Sequence, residues 1–324
     1  MTEWIQLLGG GLLVYAGAEW FVAGASSLAL ALRLPQLLVG LTVVAYGTSA
    51  PEIVVGIQAA AAGHGEVALG NVLGSNIANI GLILGLAAMI KPARVDGQLR
   101  RREVPVLLAS MALVPLLLAN GVVSKWEGAS LVLAAVVYTV LMVHAARSAS
   151  AVAEARVEVR SAEEAADLAG GPRPSGKLRS AAIAVAGLGV LLVGGHIFVR
   201  GAVEVARTLG MSDRLVGLTI VAVGTSLPEL VTSVIAARRG HADLAVGNVV
   251  GSNIFNILLC LGTSALAGSV AVPLRTVAVD VAALAIMTLF AALLLREQRT
   301  ISRAEGAFAL VLYLSYTALI VAMA

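Results

Sequence analysis

The stretch GLTVVAYGTSAPEIVVGIQAA at 40–60 returns without a gap as GLTIVAVGTSLPELVTSVIAA at 217–237, a shift of 177 residues. The same shift carries GHGEVALGNVLGSNIANIGLILG (63–85) onto GHADLAVGNVVGSNIFNILLCLG (240–262), and pairs Gly17, Phe21, Val22 and Gly24 with Gly194, Phe198, Val199 and Gly201. Further on, WEGASLVLAAVVYT (126–139) meets AEGAFALVLYLSYT (304–317), displaced by one more residue. The chain is a tandem duplication, so its fold has to build one unit twice.

What that unit is follows from its apolar runs. They fall near 5–32, 37–62, 67–90, 103–120, 127–146, 180–207, 214–237, 243–267, 276–295 and 304–323. Each is long enough to cross about 30 Å of hydrocarbon as a helix. With 59% hydrophobic and 13% charged residues, the chain has too little polar surface to cover a soluble domain. The reading is an all-α integral membrane protein of ten spans. Five spans per copy is an odd number, so the second copy enters the membrane upside down, giving two inverted five-helix repeats. The expected division is 1–146 for the first repeat, 147–178 for a polar cytoplasmic linker with a short helix at 150–168, and 179–324 for the second repeat. The opening MTEW offers no basic segment of a cleaved signal, so the first run is expected to be retained.

Placing the N-terminus outside puts 17 of the 22 basic residues on the cytoplasmic side, as the positive-inside rule requires. Both termini are then expected outside, in a bacterial or archaeal inner membrane. The net charge of +3 reports orientation and gives no reason to expect a nucleic-acid partner.

Within the second and seventh runs stand Pro51 and Pro228, which have no N–H to offer and crowd the carbonyl four residues back. A freed carbonyl in hydrocarbon costs several kcal/mol unless it lines a site. Both helices are therefore expected to be discontinuous. They would offer oxygens from Thr48, Ser49, Thr225 and Ser226 and from the carbonyls of Ala45 and Ala222. Beside each break is a carboxylate, Glu52 or Glu229. An ionised glutamate at mid-bilayer costs at least about 2.5 kcal/mol, so a functional role is the first reading and a protonated or ion-paired structural acid the second.

The third and eighth runs supply the facing surface. Asn71, Ser75 and Asn79 recur every fourth residue on one helix face, as do Asn248, Ser252 and Asn256. Ser75, Asn79, Ser252 and Asn256 are read as ligands. For Asn76 and Asn253, polar glue between helices is as good an account. Gly70 with Gly74, and Gly247 with Gly251, read as close-packing seams. Carboxylate, hydroxyl and carbonyl oxygens make a site for a hard cation, Ca²⁺ or Na⁺, and no thiolate or imidazole set points to zinc or copper. Cys260, the one cysteine, reads as a small core residue.

The paired motifs GTSAPE…GNVLGSNIANIG and GTSLPE…GNVVGSNIFNIL, on ten spans, resemble the cation/calcium exchanger superfamily, and most of all its short prokaryotic sodium/calcium exchangers. The resemblance covers nearly the whole chain. It implies a cluster of four cation sites centred on Glu52 and Glu229, with Thr48, Ser49, Thr225 and Ser226 contributing oxygens and Ser75, Asn79, Ser252 and Asn256 completing the shell. It also implies alternating access, with the first and sixth spans sliding over the rest. Asn256 stands where some relatives carry aspartate, which makes potassium co-transport less expected. Glu19 has His196 as its repeat equivalent, where relatives often keep an acid in both helices; that histidine reads as a helix-packing residue.

Two carboxylates balance one Ca²⁺ or two Na⁺, so these loads compete for the same oxygens. A third Na⁺, as the resemblance implies, would make exchange electrogenic, each net charge being worth about 2.3 kcal/mol per 100 mV. The expected function is a secondary antiporter extruding Ca²⁺ against Na⁺, with a proton-coupled cation antiporter on the same glutamates as the alternative. No cofactor and no obligate protein partner is implied beyond inorganic cations and membrane lipid. A hydrolase would need a base beside the hydroxyls, and these spans hold no His or Lys there. His64 and His241 read as solvated loop residues, and Arg100, Arg101 and Arg102 as flanking charge that can touch anionic lipid.

Overall fold

The computed structural model describes residues 2–32, 34–94, 99–160, 176–210, 222–295 and 300–323, without the side chains of 94, 99–100, 146–160 and 222. The start of the seventh apolar run, 214–221, and most of the linker, 161–175, lie outside the described residues, as do Arg33, Arg296 and Arg299.

The fold is overwhelmingly helical. Among the described residues, six helices are long and apolar enough to cross a membrane: Thr2–Ala31 (α1), Gly65–Ile90, Lys125–Ala145, Lys177–Thr208 (α9), Ala242–Ala267 and Arg303–Met323. A seventh span is a bent pair, Gln36–Thr48 and Ala50–Ala61, meeting at 43°. The expected breaks are both present, because helix Ala222–Gly224 is likewise separated from Leu227–Arg238 by a turn at Thr225 and Ser226. Val104–Leu117 (α7) and Ala278–Leu294 are shorter apolar helices.

Gly65–Ile90 and Ala242–Ala267 form the centre, with 72% and 94% of their apolar windows buried against 17–39% for the other single-helix spans. Each is entered through a tight reversal. Gly63 and Gly240 take φ of +81° and +88°, and the next N–H, of His64 or His241, reaches back to Ala59 or Ala236 at 2.8 Å. This is the six-to-one bond of a Schellman stop, which only glycine adopts without strain.

α1 and α9 pack chiefly on each other. A Cβ on Gly17 would sit 2.3 Å from the Leu191 nitrogen, and one on Gly194 would sit 2.7 Å from that of Val14. The glycines paired by the repeat thus let two backbones cross in contact.

Two expectations need correction. The all-α reading missed four two-residue strands, in which Ala93–Arg94 pairs antiparallel with Thr300–Ile301 and Val122–Val123 with Val270–Ala271. They clasp loops of one copy to loops of the other, and two residues are too few to show alternation. The short linker helix at 150–168 is not separate, since the fifth-run helix continues from Lys125 to Arg160 (α8). SASAVAEARVEVR contains no Gly or Pro to stop it. The glycine seam is present as expected at Gly247 and Gly251. A Cβ on Gly247 would meet the Leu37 carbonyl at 2.5 Å and one on Gly251 that of Leu41 at 2.7 Å, whereas Gly70 and Gly74 meet no described atom within 4 Å. The residues that the repeat would place opposite them, around 214–222, fall largely outside the described part.

Candidate cation site

The second run bends at Ser49, whose ψ of 5° leaves the helical range. Pro51 is the second residue of the helix that follows and Pro228 holds the same position in the other copy. In a first turn the missing N–H has no intrahelical partner to lose, so each proline opens a new helix instead of kinking an old one. Glu52 and Glu229 come next, in the first turn, where the exposed amides and the helix dipole favour a negative charge. The carbonyl of Ala45, expected as a site oxygen, already accepts the Ser49 N–H at 3.1 Å.

The two copies exchange partners at the break. The Ser49 hydroxyl donates to Glu229 Oε1 at 2.9 Å, and the Ser226 hydroxyl donates to Glu52 Oε1 at 3.0 Å. Thr48 lies 3.2 Å from Asn248 Oδ1, and Thr225 lies 3.4 Å from Asn71 Oδ1. Each asparagine turns its amide nitrogen to the backbone carbonyl of the glutamate in its own copy, Asn71 to Glu52 at 3.1 Å and Asn248 to Glu229 at 3.5 Å. The Thr48–Asn248 end is fully buried, while the Thr225–Asn71 end is half-buried.

Around this crossing lie buried polar atoms with no hydrogen-bond partner among the described residues: Glu52 Oε2, Glu229 Oε2, the hydroxyls of Ser75 and Ser252, both amide atoms of Asn79 and the nitrogen of Asn256. Ser75 faces the Glu52 carboxylate. Asn79 and Asn256 each begin a π-helical turn, Asn79–Leu84 and Asn256–Cys260, a distortion that recurs at functional positions. Among the described residues no Lys, Arg or His pairs with either glutamate. Nor do three His, Cys, Asp or Glu side chains converge as a metal cluster there. Two buried carboxylates without cationic partners among the described residues carry a large desolvation cost, which a desolvated cation among the surrounding oxygens would offset. The donor set, two carboxylates with hydroxyl and amide oxygens, fits Ca²⁺ or Na⁺ as cargo.

The sodium/calcium exchanger protein family matches residues 2–144 and 179–322, most of the chain. The chain belongs to that family. The exchanger is 39% identical over 319 residues to a candidate antiporter, CaxA, of Alkalimonas amylolytica, with 96% of each chain covered. It is 30% identical to the sodium/calcium exchanger MaX1 of Methanosarcina acetivorans, over 82% of this chain and 83% of that one. A solved structure of the sodium-calcium exchanger NCX_Mj, soaked with Na⁺ and Ca²⁺, superposes with a TM-score of 0.82 at 33% identity, covering 98% of both chains. It is a cation/calcium antiporter of the membrane, with several membrane-crossing helices.

Of the ten residues singled out as ligands, seven fall on helices that flank this crossing and three, Ser49, Thr225 and Ser226, on the two breaks; nine of the ten are buried. Thr225 is half-buried. Other readings change. Asn76 and Asn253 do not glue helices together, because each amide nitrogen returns to its own helix, to Val72 and Val249 at 2.7 Å. His196 is exposed, off the glycine-lined face where α9 meets α1, so it is not a packing residue. His241 is not a solvated loop residue, being half-buried with Nε2 3.3 Å from the Ser26 hydroxyl on α1. Cys260 is buried as expected, but its thiol also lies 3.4 Å from Asn256 Oδ1. Asn71 and Asn248 share the ligand face in sequence yet were not counted as site residues. Their amide bonds to backbone become visible only once the neighbouring helix is known to be broken.

Proposed function

We propose that this protein exchanges Ca²⁺ for Na⁺ by alternating access, holding either load between Glu52 and Glu229 with oxygens from Thr48, Ser49, Ser75, Asn79, Thr225, Ser226, Ser252 and Asn256. The observation that carries the reading is the crossed pair of serine–glutamate bonds, which leaves one buried oxygen of each carboxylate without a hydrogen-bond partner among the described residues. A site with two negative charges is matched by one Ca²⁺ or two Na⁺, and a third Na⁺ would make the cycle electrogenic and able to drive Ca²⁺ outward. That NCX_Mj and MaX1 are described as sodium/calcium exchangers supports the choice of ions.

The architecture proposed is ten spans in two inverted repeats, 1–146 and 179–324, joined by a cytoplasmic linker at 147–178, with both termini outside an inner membrane. The two inter-copy clasps support it, since Ala93 and Val270, 177 residues apart, begin repeat-related strands. α1 and α9 form the moving unit, packing on each other more than on the rest. The contrast between the half-buried Thr225–Asn71 end and the buried Thr48–Asn248 end supports a conformation leaning outward.

The test is calcium flux in proteoliposomes under an imposed sodium gradient or an imposed proton gradient. Flux driven by sodium, abolished in Glu52→Gln and Glu229→Gln while the proteins elute as folded, is the expected result. Flux that follows only the proton gradient replaces sodium by protons as the coupling ion, and normal flux in either variant removes that glutamate from the site.

A further inference from the structure

One buried hydroxyl close to the crossing has no part in it. Thr232 stands on the Leu227–Arg238 helix three residues after Glu229, so it shares the glutamate's face about 4.5 Å further along the axis. The residue is fully buried, yet its hydroxyl has no hydrogen-bond partner among the described residues. Helical threonines commonly return the hydroxyl to the carbonyl four residues back. Thr42, Thr48, Thr139, Thr263 and Thr317 all do so, at 2.7–3.0 Å, and Thr232 does not.

The repeat offers no counterpart for this group. Where the second copy carries Thr232 and Ser233, the first carries Val55 and Gly56. Ser233 accepts the Asn248 amide at 2.9 Å, so of the two added hydroxyls it is that of Thr232 that stays unbonded among the described residues. Nearer Arg238, Ile235 and Ala236 join Phe21, Val22 and Ala25 of α1 in one buried apolar cluster. In the orientation proposed above Arg238 marks the cytoplasmic end. Thr232 therefore stands between the crossing and the cytoplasm, behind a seal to which the moving unit contributes. Val55, its equivalent on the outward half, is half-buried.

We propose that Thr232 is a further cation ligand, the first protein oxygen that Ca²⁺ or Na⁺ meets on entering from the cytoplasm and the last that it leaves. The hydroxyl replaces one water in the shell of a hard cation while Glu229, one turn away, supplies the charge. It acts in the inward-open state, because α1 has to withdraw before the cytoplasm reaches it. The two faces of the exchanger thus have unequal entry routes, with an added oxygen on the cytoplasmic half and the methyl groups of Val55 on the outer half. This assignment rests on the alternating access and orientation proposed above.

Calcium self-exchange, the uptake of radiolabelled Ca²⁺ into calcium-loaded membrane vesicles, tests it from each face. Inside-out vesicles present the cytoplasmic face and right-side-out vesicles the outer one. Thr232→Val keeps the shape and removes the oxygen. It is expected to raise half-saturating Ca²⁺ about tenfold at the cytoplasmic face, as for one lost bond to a charged group, and to leave the outer face unchanged. Thr232→Ser keeps the hydroxyl and is expected to hold wild-type values at both faces. Since an unbonded buried hydroxyl costs stability, the valine variant should melt at or above the wild-type temperature. Unchanged half-saturation at the cytoplasmic face overturns the proposal, as does an equal rise at both faces. A lower melting temperature overturns it too, by marking the hydroxyl as a structural group. Self-exchange needs neither a sodium nor a proton gradient, so loss of the sodium coupling leaves this result standing, whereas a wild type without self-exchange removes the antiporter reading and this proposal with it.

Discussion

Ser226 donates its hydroxyl hydrogen to the Glu52 carboxylate at 3.0 Å, across 174 positions of sequence, and Ser49 returns the same bond to Glu229. Each copy thus completes the anionic site of the other. A hydrogen bond to a buried charge contributes about 1.5–3 kcal/mol, which corresponds to a tenfold or larger change in affinity. Ser49→Ala and Ser226→Ala are each expected to weaken apparent Ca²⁺ affinity about tenfold, by similar amounts and without the complete loss expected of the glutamate variants. Half-saturation of calcium uptake measures this, and unchanged values in both variants would remove the serines from the site.

Asn248 ties three pieces together: the Glu229 carbonyl, the Ser233 hydroxyl at 2.9 Å and Thr48 of the other copy. Replacing it by alanine strands buried polar groups, at about 1–3 kcal/mol. Among the described residues Asn71 makes fewer such bonds, and it is half-buried. Asn248→Ala is expected to lower the melting temperature by several degrees and more than Asn71→Ala does, which parallel thermal unfolding in the same detergent would establish. A larger loss in Asn71→Ala would refute the reading.

The broken helices and their acids were legible because a proline and a glutamate in an apolar run contradict their surroundings, and the contradiction occurs twice. The facing residues at every fourth position were legible from helical periodicity alone. The exchange of partners was not, since a repeat tells which residues are equivalent and not whether Ser49 bonds Glu52 or Glu229. Helix tilt hid the place of His241 as well, because its contact with Ser26 depends on where α1 crosses the turn after Arg238. The clasping strands, at two residues each, carried no period to detect.

Helix crossing gives a steric prediction. Gly17 and Gly189 lie on the two helices that pack together, but a Cβ at 17 would sit 2.3 Å from backbone, and one at 189 has nothing described within 4 Å. Gly17→Ala must push α1 and α9 apart and is expected to destabilise by about 1–3 kcal/mol, while impairing transport. Gly189→Ala gains helix propensity and is expected to stabilise by up to about 1 kcal/mol. Thermal unfolding of the pair decides it; equal effects would mean that the crossing is not tight.

The turn after Arg238 carries a pH dependence whose sign can be worked out. Burial, then the positive charges of Arg239 and Lys91, hold the His241 imidazole below its ordinary value of 6.5. Gln36 already donates to the Ser26 hydroxyl oxygen at 3.2 Å, so the bond that satisfies both groups runs from Ser26 to an unprotonated Nε2. Above pH 6.5 both folded and unfolded chains hold a neutral ring, and the group contributes no pH dependence. As pH falls through 6.5 the unfolded chain binds the proton first, so folded stability drops until the lowered value is passed. The neighbouring ion pair of Arg239 with Glu19 on α1 is partly exposed and adds little of its own. Wild-type protein is therefore expected to lose a few degrees of melting temperature between pH 7.5 and 5.5 that His241→Gln does not lose, once the shared loss from other groups is subtracted. Identical pH profiles for the two proteins would show that the ring is not held neutral against α1.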